Sequence, residues 1–190
     1  MNKISSFSRC VILLLLGFTV MAVAAEKTND RRYPLPDHGL FQMKVPMSWK
    51  DELRQPPDRL PPTIVLRPAS GDQFQVLITP IWLARKDVPL PSGEAIRQQV
   101  QRGVESAKSQ AVEETLKVME LQGSSGSGYY FSATDKAPKP GEYKFMTQGI
   151  LLVGELIVTF TILTNDSQRN VVNDALTMLK SAIHVKDKGT

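Results

Sequence analysis

The sequence predicts an α+β fold: a mainly antiparallel sheet with flanking helices, an α/β/α sandwich in the order βββ-α-ββββ-α. Three observations carry this. Several runs alternate apolar and polar residues with period two. Two stretches, 92–110 and 166–185, carry apolar stripes at helical spacing. The most apolar run of the second half, "GILLVGELIVTFTILT" at 149–164, is broken near its middle by Gly154-Glu155.

The N-terminus is set apart before the fold is read. "MNKISSFSRC" carries Lys3 and Arg9 and no acid, and "VILLLLGFTVMAVAA" follows with an apolar core ending in small residues. Ala22-Val23-Ala24 is an A-x-A pattern, so residues 1–24 read as a signal peptide cleaved after Ala24, with Ala25 as the second choice. As a helix the run from Val11 to Ala25 would be roughly 22 Å long, short of the ~30 Å hydrocarbon core. The only cysteine, Cys10, precedes the apolar core, whereas a lipidated cysteine follows it.

Removing 24 of the 190 residues leaves about 166, the size of one domain with a sizeable core. This chain has no cysteine, hence no disulfide, thiolate nucleophile or cysteine metal site. Without Lys3 and Arg9 the charge balance is 21 Lys+Arg against 19 Asp+Glu. That is no electrostatic footprint for nucleic acid, and no basic stripe with interleaved aromatics is present.

Residues 25–37, "AEKTNDRRYPLPD", read as a flexible leader with Arg31-Arg32 solvated. "GLFQMKVPMSW" alternates, giving a strand ended by Pro46, with Trp49 in a turn plugging the end of the core. "DELRQPPDRLPP" reads as a loop, because its prolines deny helix and sheet hydrogen bonds. "TIVLRP" and "DQFQVLITPIWL" are the next strands, the second bulged or at an edge near Pro80. Ser92 caps the first helix and Glu94 suits its positive end. Ile96, Val100, Val104 and Ala107 form its apolar stripe, with Arg97, Gln101 and Lys108 turned away.

"TLKVMELQG" and "YYFSATD" are strands joined by a Gly/Ser turn. "YKFMTQGILLV" then pairs with the following segment through Gly154-Glu155, read as a two-residue type II′ turn, since Gly tolerates positive φ at the first position. Glu155 is then in water. Leu156, Val158, Phe160 and Ile162 line one face of the last strand; Ile157, Thr159, Thr161 and Leu163 line the other, which is partly covered. The closing helix, capped by Asn165 or Asp166, carries Val172, Leu176, Leu179 and Ile183 and ends at His184. The folded unit is therefore 38–185, followed by a polar tail, 186–190.

The segment "FQMKVPMSW", the hairpin "YKFMTQGILLVGELIVTFTILTN" and the closing helix resemble the PsbP-like fold family, over roughly residues 38–184. That family includes an extrinsic photosystem protein, a Ran-binding nuclear import factor and DcrB-type bacterial envelope proteins. The resemblance is one of pattern and element order. It implies a non-enzymatic accessory or binding role and carries no catalytic motif.

The residues themselves supply little for catalysis. Asp37-His38 invites a dyad, but neighbouring strand residues point to opposite faces and no third partner is identifiable. His184 suits the negative end of a helix. A two-histidine metal site would require the fold to join residues far apart. "GSSGSG" at 123–128 lacks the Lys-Ser/Thr of a phosphate loop and is followed by a strand. Glu113-Glu114 sits at a helix-to-strand junction, in solvent. Trp49 and Trp82 read as core rather than as a ligand groove.

The expectation is thus an exported, periplasmic or secreted, non-enzymatic accessory or protein-binding module of the bacterial cell envelope. It has no catalytic, cofactor or metal residues to nominate. The partner is an envelope protein; nucleic acid and a membrane span after cleavage are not expected. Binding residues are expected in the 50–62 and 135–142 loops, with the histidines dispensable. The alternatives are a carrier of a small apolar ligand held between sheet and helix, and an unrecognised enzyme.

Overall fold

A computed structural model describes residues 26–85, 87–165 and 169–186. The segment read as a signal peptide, Cys10, the expected cap Asp166 and the end of the polar tail lie outside the described residues. Among the described residues ten strands form two antiparallel sheets. The small sheet holds β1 (Thr28–Leu35), β2 (Gly39–Pro46) and β10 (Ile183–Val185), in the order β1-β2-β10. The large sheet holds β3 (Trp49–Arg54), β4 (Thr63–Pro68), β5 (Phe74–Ile81), β6 (Met119–Gln122), β7 (Ser127–Thr134), β8 (Phe145–Val153) and β9 (Leu156–Thr164). Its order is β3-β4-β5-β9-β8-β7-β6. Helix α1 (Gly93–Ala107) lies on one face and α2 (Arg169–Lys180), with the small sheet, on the other. Among the described residues no helix is long and apolar enough to cross a membrane.

The central strands follow their alternation. In β9, Leu156, Val158, Phe160 and Ile162 are at most 2% exposed, and the residues between them are half-buried. Phe41 and Met43 of β2 and Leu179 of α2 close over that face. Val100 and Val104 of α1 pack on Phe131 and Ala133 from the other side. Ser92 caps α1, its Oγ accepting from the Ala95 N–H at 3.2 Å.

The hairpin reading holds. Val153 pairs with Leu156, Gly154 has φ +59, and Glu155 is not among the residues with positive φ, as a type II′ turn requires. Pro80 causes no bulge, since the register with β9 runs unbroken through Pro80↔Val158. The β4 pairing covers Val76 to Ile78, so beyond it β5 is an edge where a missing N–H costs nothing.

Several expectations need correction. The leader is not flexible over 28–35: it is β1, paired with β2 from Thr28↔Pro46 to Leu35↔Gly39. Tyr33 and Leu35 are buried, the Tyr33 hydroxyl donates to Asp51 Oδ2 at 2.9 Å, and Arg31 pairs with Asp51 at 3.6 Å. Arg31 is therefore engaged, and the folded unit begins before residue 38. Burial and the negative Asp51 both hold the Tyr33 phenol far above its usual range. Trp49 opens β3 rather than sitting in a turn, although its ring does plug the core, tilted against Phe74 at 4.6 Å. Only residues 55–62 of the proline-rich stretch are loop. The closing helix stops at Lys180, and Ile183 and His184 belong to β10, opposite Gln42 and Phe41. The Asn165 side-chain amide donates to the Asp72 carbonyl, and the residues it would cap, 166–168, lie outside the described residues.

Candidate functional site

Strand register brings four segments to one end of the large sheet: the β1–β2 turn, the stretch after β5, the β8–β9 hairpin tip and β10. Between them lies a cleft of about 530 Å³. Trp82 leaves β5 and stacks on the His38 ring, centroids 4.2 Å apart and planes 18° apart. Leu83, Val88, Leu90 and Leu156 supply aliphatic lining. The rims carry paired charges, Lys186 with Glu155 and Arg85 with Asp87.

The two histidines, 146 residues apart, share this wall, and their connection runs through backbone. His184 Nε2 lies 2.7 Å from the His38 carbonyl oxygen. A carbonyl only accepts, so Nε2 carries the donated proton. His184 Nδ1 is buried and has no hydrogen-bond partner among the described residues. It faces Gly154, where an added Cβ would lie 2.9 Å from His184 Cβ. Likewise His38 Nδ1 donates to the Pro36 carbonyl at 2.7 Å. His184 thus ties β10 to the β1–β2 turn, and His38 buttresses Trp82.

The Asp37–His38 dyad is not formed. Asp37, at φ +61, turns to Arg59 of the 55–62 loop and makes an ion pair at 2.5 Å. Among the described residues no group of three or more His, Cys, Asp or Glu is placed to hold a metal ion.

The glycine-serine turn serves the same end of the molecule. The Ser124 N–H donates to the Lys180 carbonyl, and the Ser124 and Ser125 hydroxyls donate to the Ala182 carbonyl. These donors meet the last carbonyl of α2 and one just beyond it, so the loop satisfies main-chain carbonyls at the helix end rather than cradling an anion. Gly128 follows because a Cβ there would lie 2.0 Å from the Ile150 carbonyl oxygen.

At the opposite end, Glu113 is not simply solvated. Its carboxylate accepts from the Thr134 N–H at 2.9 Å and the Thr134 hydroxyl at 2.6 Å. Burial pushes this carboxyl up, but those hydrogen bonds prevail and hold it below the usual carboxylate range.

No protein-family model matches the sequence, and no curated protein is similar to it. Several solved structures share its architecture, among them these two. One is a chain from Bacteroides thetaiotaomicron, with a TM-score of 0.51 and 10% identity over 86% of this chain. The other is cyanobacterial PsbP (CyanoP) from Synechocystis, with a TM-score of 0.50 and 11% identity over 86% of this chain and 96% of its own. The fold is PsbP-like. This chain spans half the length of the Bacteroides chain. At such identities the likeness concerns the fold, and the resemblance of strand pattern and hairpin is thereby explained.

The sequence separated the site's parts. Trp82, read as core, packs against the edge of the core but also lines the cleft. Its stacking on His38, and the use of His184 as a clamp, depend on main-chain carbonyls that any residue supplies.

Proposed function

We propose that this is an exported, non-enzymatic accessory protein of the bacterial cell envelope that binds a segment of another envelope protein in the hairpin-end cleft. One observation carries the reading. The cleft's titratable rings each have a nitrogen engaged by main-chain carbonyls, while Trp82 and four aliphatic side chains line the open space. Such a wall offers shape and apolar area, with ion pairs at its rims to set orientation; proton transfer and nucleophilic attack are not what it is arranged for. Export rests on Lys3, Arg9, the short apolar core and Ala22-Val23-Ala24.

A second reading, carriage of a small apolar ligand, is favoured by the cleft's size, which falls within the ≈ 300–1,000 Å³ typical of small-molecule sites. The site would be this cleft. The layer between the sheet and α2 is filled at its centre by Phe41, Met43 and Leu179.

Native mass spectrometry of the protein purified from its own envelope separates the two. A co-purified polypeptide that Trp82→Ala releases supports the accessory reading. A retained small mass that Trp82→Ala releases supports the carrier. Retention of either by the Trp82→Ala protein places binding elsewhere.

A further inference from the structure

The end of the sheet away from the hairpin carries a second concavity, of different chemistry. It is a recess of about 440 Å³ between the start of α2 and the ends of β7, β8 and β9. Along the inner face of β8 the apolar series Val153, Leu151 gives way to Thr147, and along β9 the series Val158, Phe160, Ile162 gives way to Thr164. Thr147 is 3% exposed and Thr164 1%, and these are the buried polar side chains of the described residues. Both line the recess.

Burying a hydroxyl where valine would pack costs free energy unless a partner is present. Here the partner of Thr147 is itself a recess side chain: its Oγ1 lies 2.7 Å from Ser132 Oγ, and Ser132 is exposed. A hydroxyl pair therefore runs from solvent into the sheet. Beside it stands the Glu113 carboxylate, oriented by Thr134, and across from it the exposed carboxamide of Asn173. Phe145 supplies an apolar wall. Paired hydroxyls, one oriented carboxylate, a carboxamide that both donates and accepts, and a ring are complementary to a molecule dense in hydroxyl groups and without net charge.

We infer that this recess is a binding site for a small neutral polyhydroxylated molecule, a monosaccharide or polyol, held by Ser132, Thr147, Glu113 and Asn173. It is independent of the hairpin-end cleft and of any protein partner bound there. Hydroxyls retained in the core for a ligand also make a stability statement. Replacing both members of the Ser132–Thr147 pair with apolar groups of the same shape leaves no orphaned donor and should be nearly neutral or stabilising.

The test is a titration of the whole processed protein, methyl-labelled, with glucose, galactose, N-acetylglucosamine and myo-inositol, observed at Ala133, Met146 and Val172. Saturable shifts at these methyls with at least one of the four are expected. The double variant Ser132→Ala, Thr147→Val should keep its melting temperature within about 3 °C and weaken that binding at least tenfold. Asn173→Ala, at an exposed position, should weaken it without unfolding. No saturable shift with any of the four, or shifts unchanged in both variants, overturns the inference. A double variant that loses stability shows that the hydroxyl pair serves the fold, and Asn173→Ala then decides. If the same methyls respond to sodium or calcium chloride and not to the sugars, the site is a cation site and the inference is wrong.

Discussion

The two ends of the seven-stranded sheet are closed by different chemistry. At the hairpin end, a ring nitrogen, a glycine turn and serine hydroxyls satisfy main-chain carbonyls, and the space left over is aromatic and aliphatic. At the opposite end, side chains bond to each other and to Thr134, and the space left over is lined with hydroxyls. Where backbone is satisfied by side chains from distant segments, those segments become one rigid wall. Where side chains are satisfied locally, the wall stays polar. The first arrangement suits a partner recognised by shape, the second a partner recognised by hydrogen bonds.

The largest expected effect breaks the hairpin end. Gly154→Val puts a β-branched residue at φ +59 and its Cβ against His184. A loss of about 3 kcal/mol is expected by denaturant unfolding, through backbone strain and displacement of the clamp. Glu155→Gln at the next position removes an exposed ion pair to Lys186 and should cost less than about 0.5 kcal/mol. The opposite order of effects would overturn the turn assignment.

Next comes the strand that the composition concealed. Tyr33→Phe removes the hydroxyl that joins β1 to Asp51 of β3. It should lower stability by about 1–2 kcal/mol, and hydrogen exchange at the β1 amides should accelerate. Unchanged exchange would mean that β1 is held by its β2 pairing alone.

At the opposite end, Glu113→Gln should cost about 1 kcal/mol, since an amide cannot accept from both Thr134 donors through two oxygens. The sign with pH follows from the lowered carboxyl. Glu113 stabilises fully above the ordinary carboxylate range, and the contribution is lost as pH falls through its lower folded value. The variant's melting temperature should therefore converge on that of the parent in acid.

The smallest effect is of opposite sign. Burial, with Glu26 nearby, raises the Asp174 carboxyl, so its charged form opposes folding near neutral pH. Asp174→Asn should raise the melting temperature by a degree or two, and the gain should vanish as pH falls through the ordinary carboxylate range into acid.

Much of the fold was legible because core strands declare themselves by alternation. Gly39 to Val45, Phe74 to Ile81 and the Gly154 hairpin follow period two, while Thr63 to Pro68 shows itself by the continuous buried run Ile64-Val65-Leu66. The elements missed lie at edges. β1 buries only Tyr33 and Leu35 behind a charged start, and Pro34 is tolerated because the strand has one neighbour. β3 presents Lys50, Glu52 and Arg54, the charges that protect an exposed edge and also hide it from a hydrophobic pattern. β10 was absorbed into the helix because Leu179 and Ile183 keep helical spacing, while the chain turns at Ser181-Ala182. The candidate sites were less legible. A His184 bond to the carbonyl of His38 leaves no residue signature, and a threonine in a strand looks the same whether it faces solvent or a recess. The expectation that both histidines are dispensable for function stands to be tested, and because His184 bonds the His38 carbonyl its replacement is to be read alongside the melting temperature.

The claim that the hairpin-end cleft is the partner surface is tested most directly by site-specific photo-cross-linking in the cell. The cross-linking residue is placed at Leu90 in the cleft or at Glu105, exposed on α1, in the full 190-residue chain. A discrete protein adduct from position 90, abolished by Trp82→Ala in a protein that still melts normally, with none from position 105, is the expected result. An adduct from position 105 alone, or one from position 90 that persists in the Trp82→Ala protein, would contradict it.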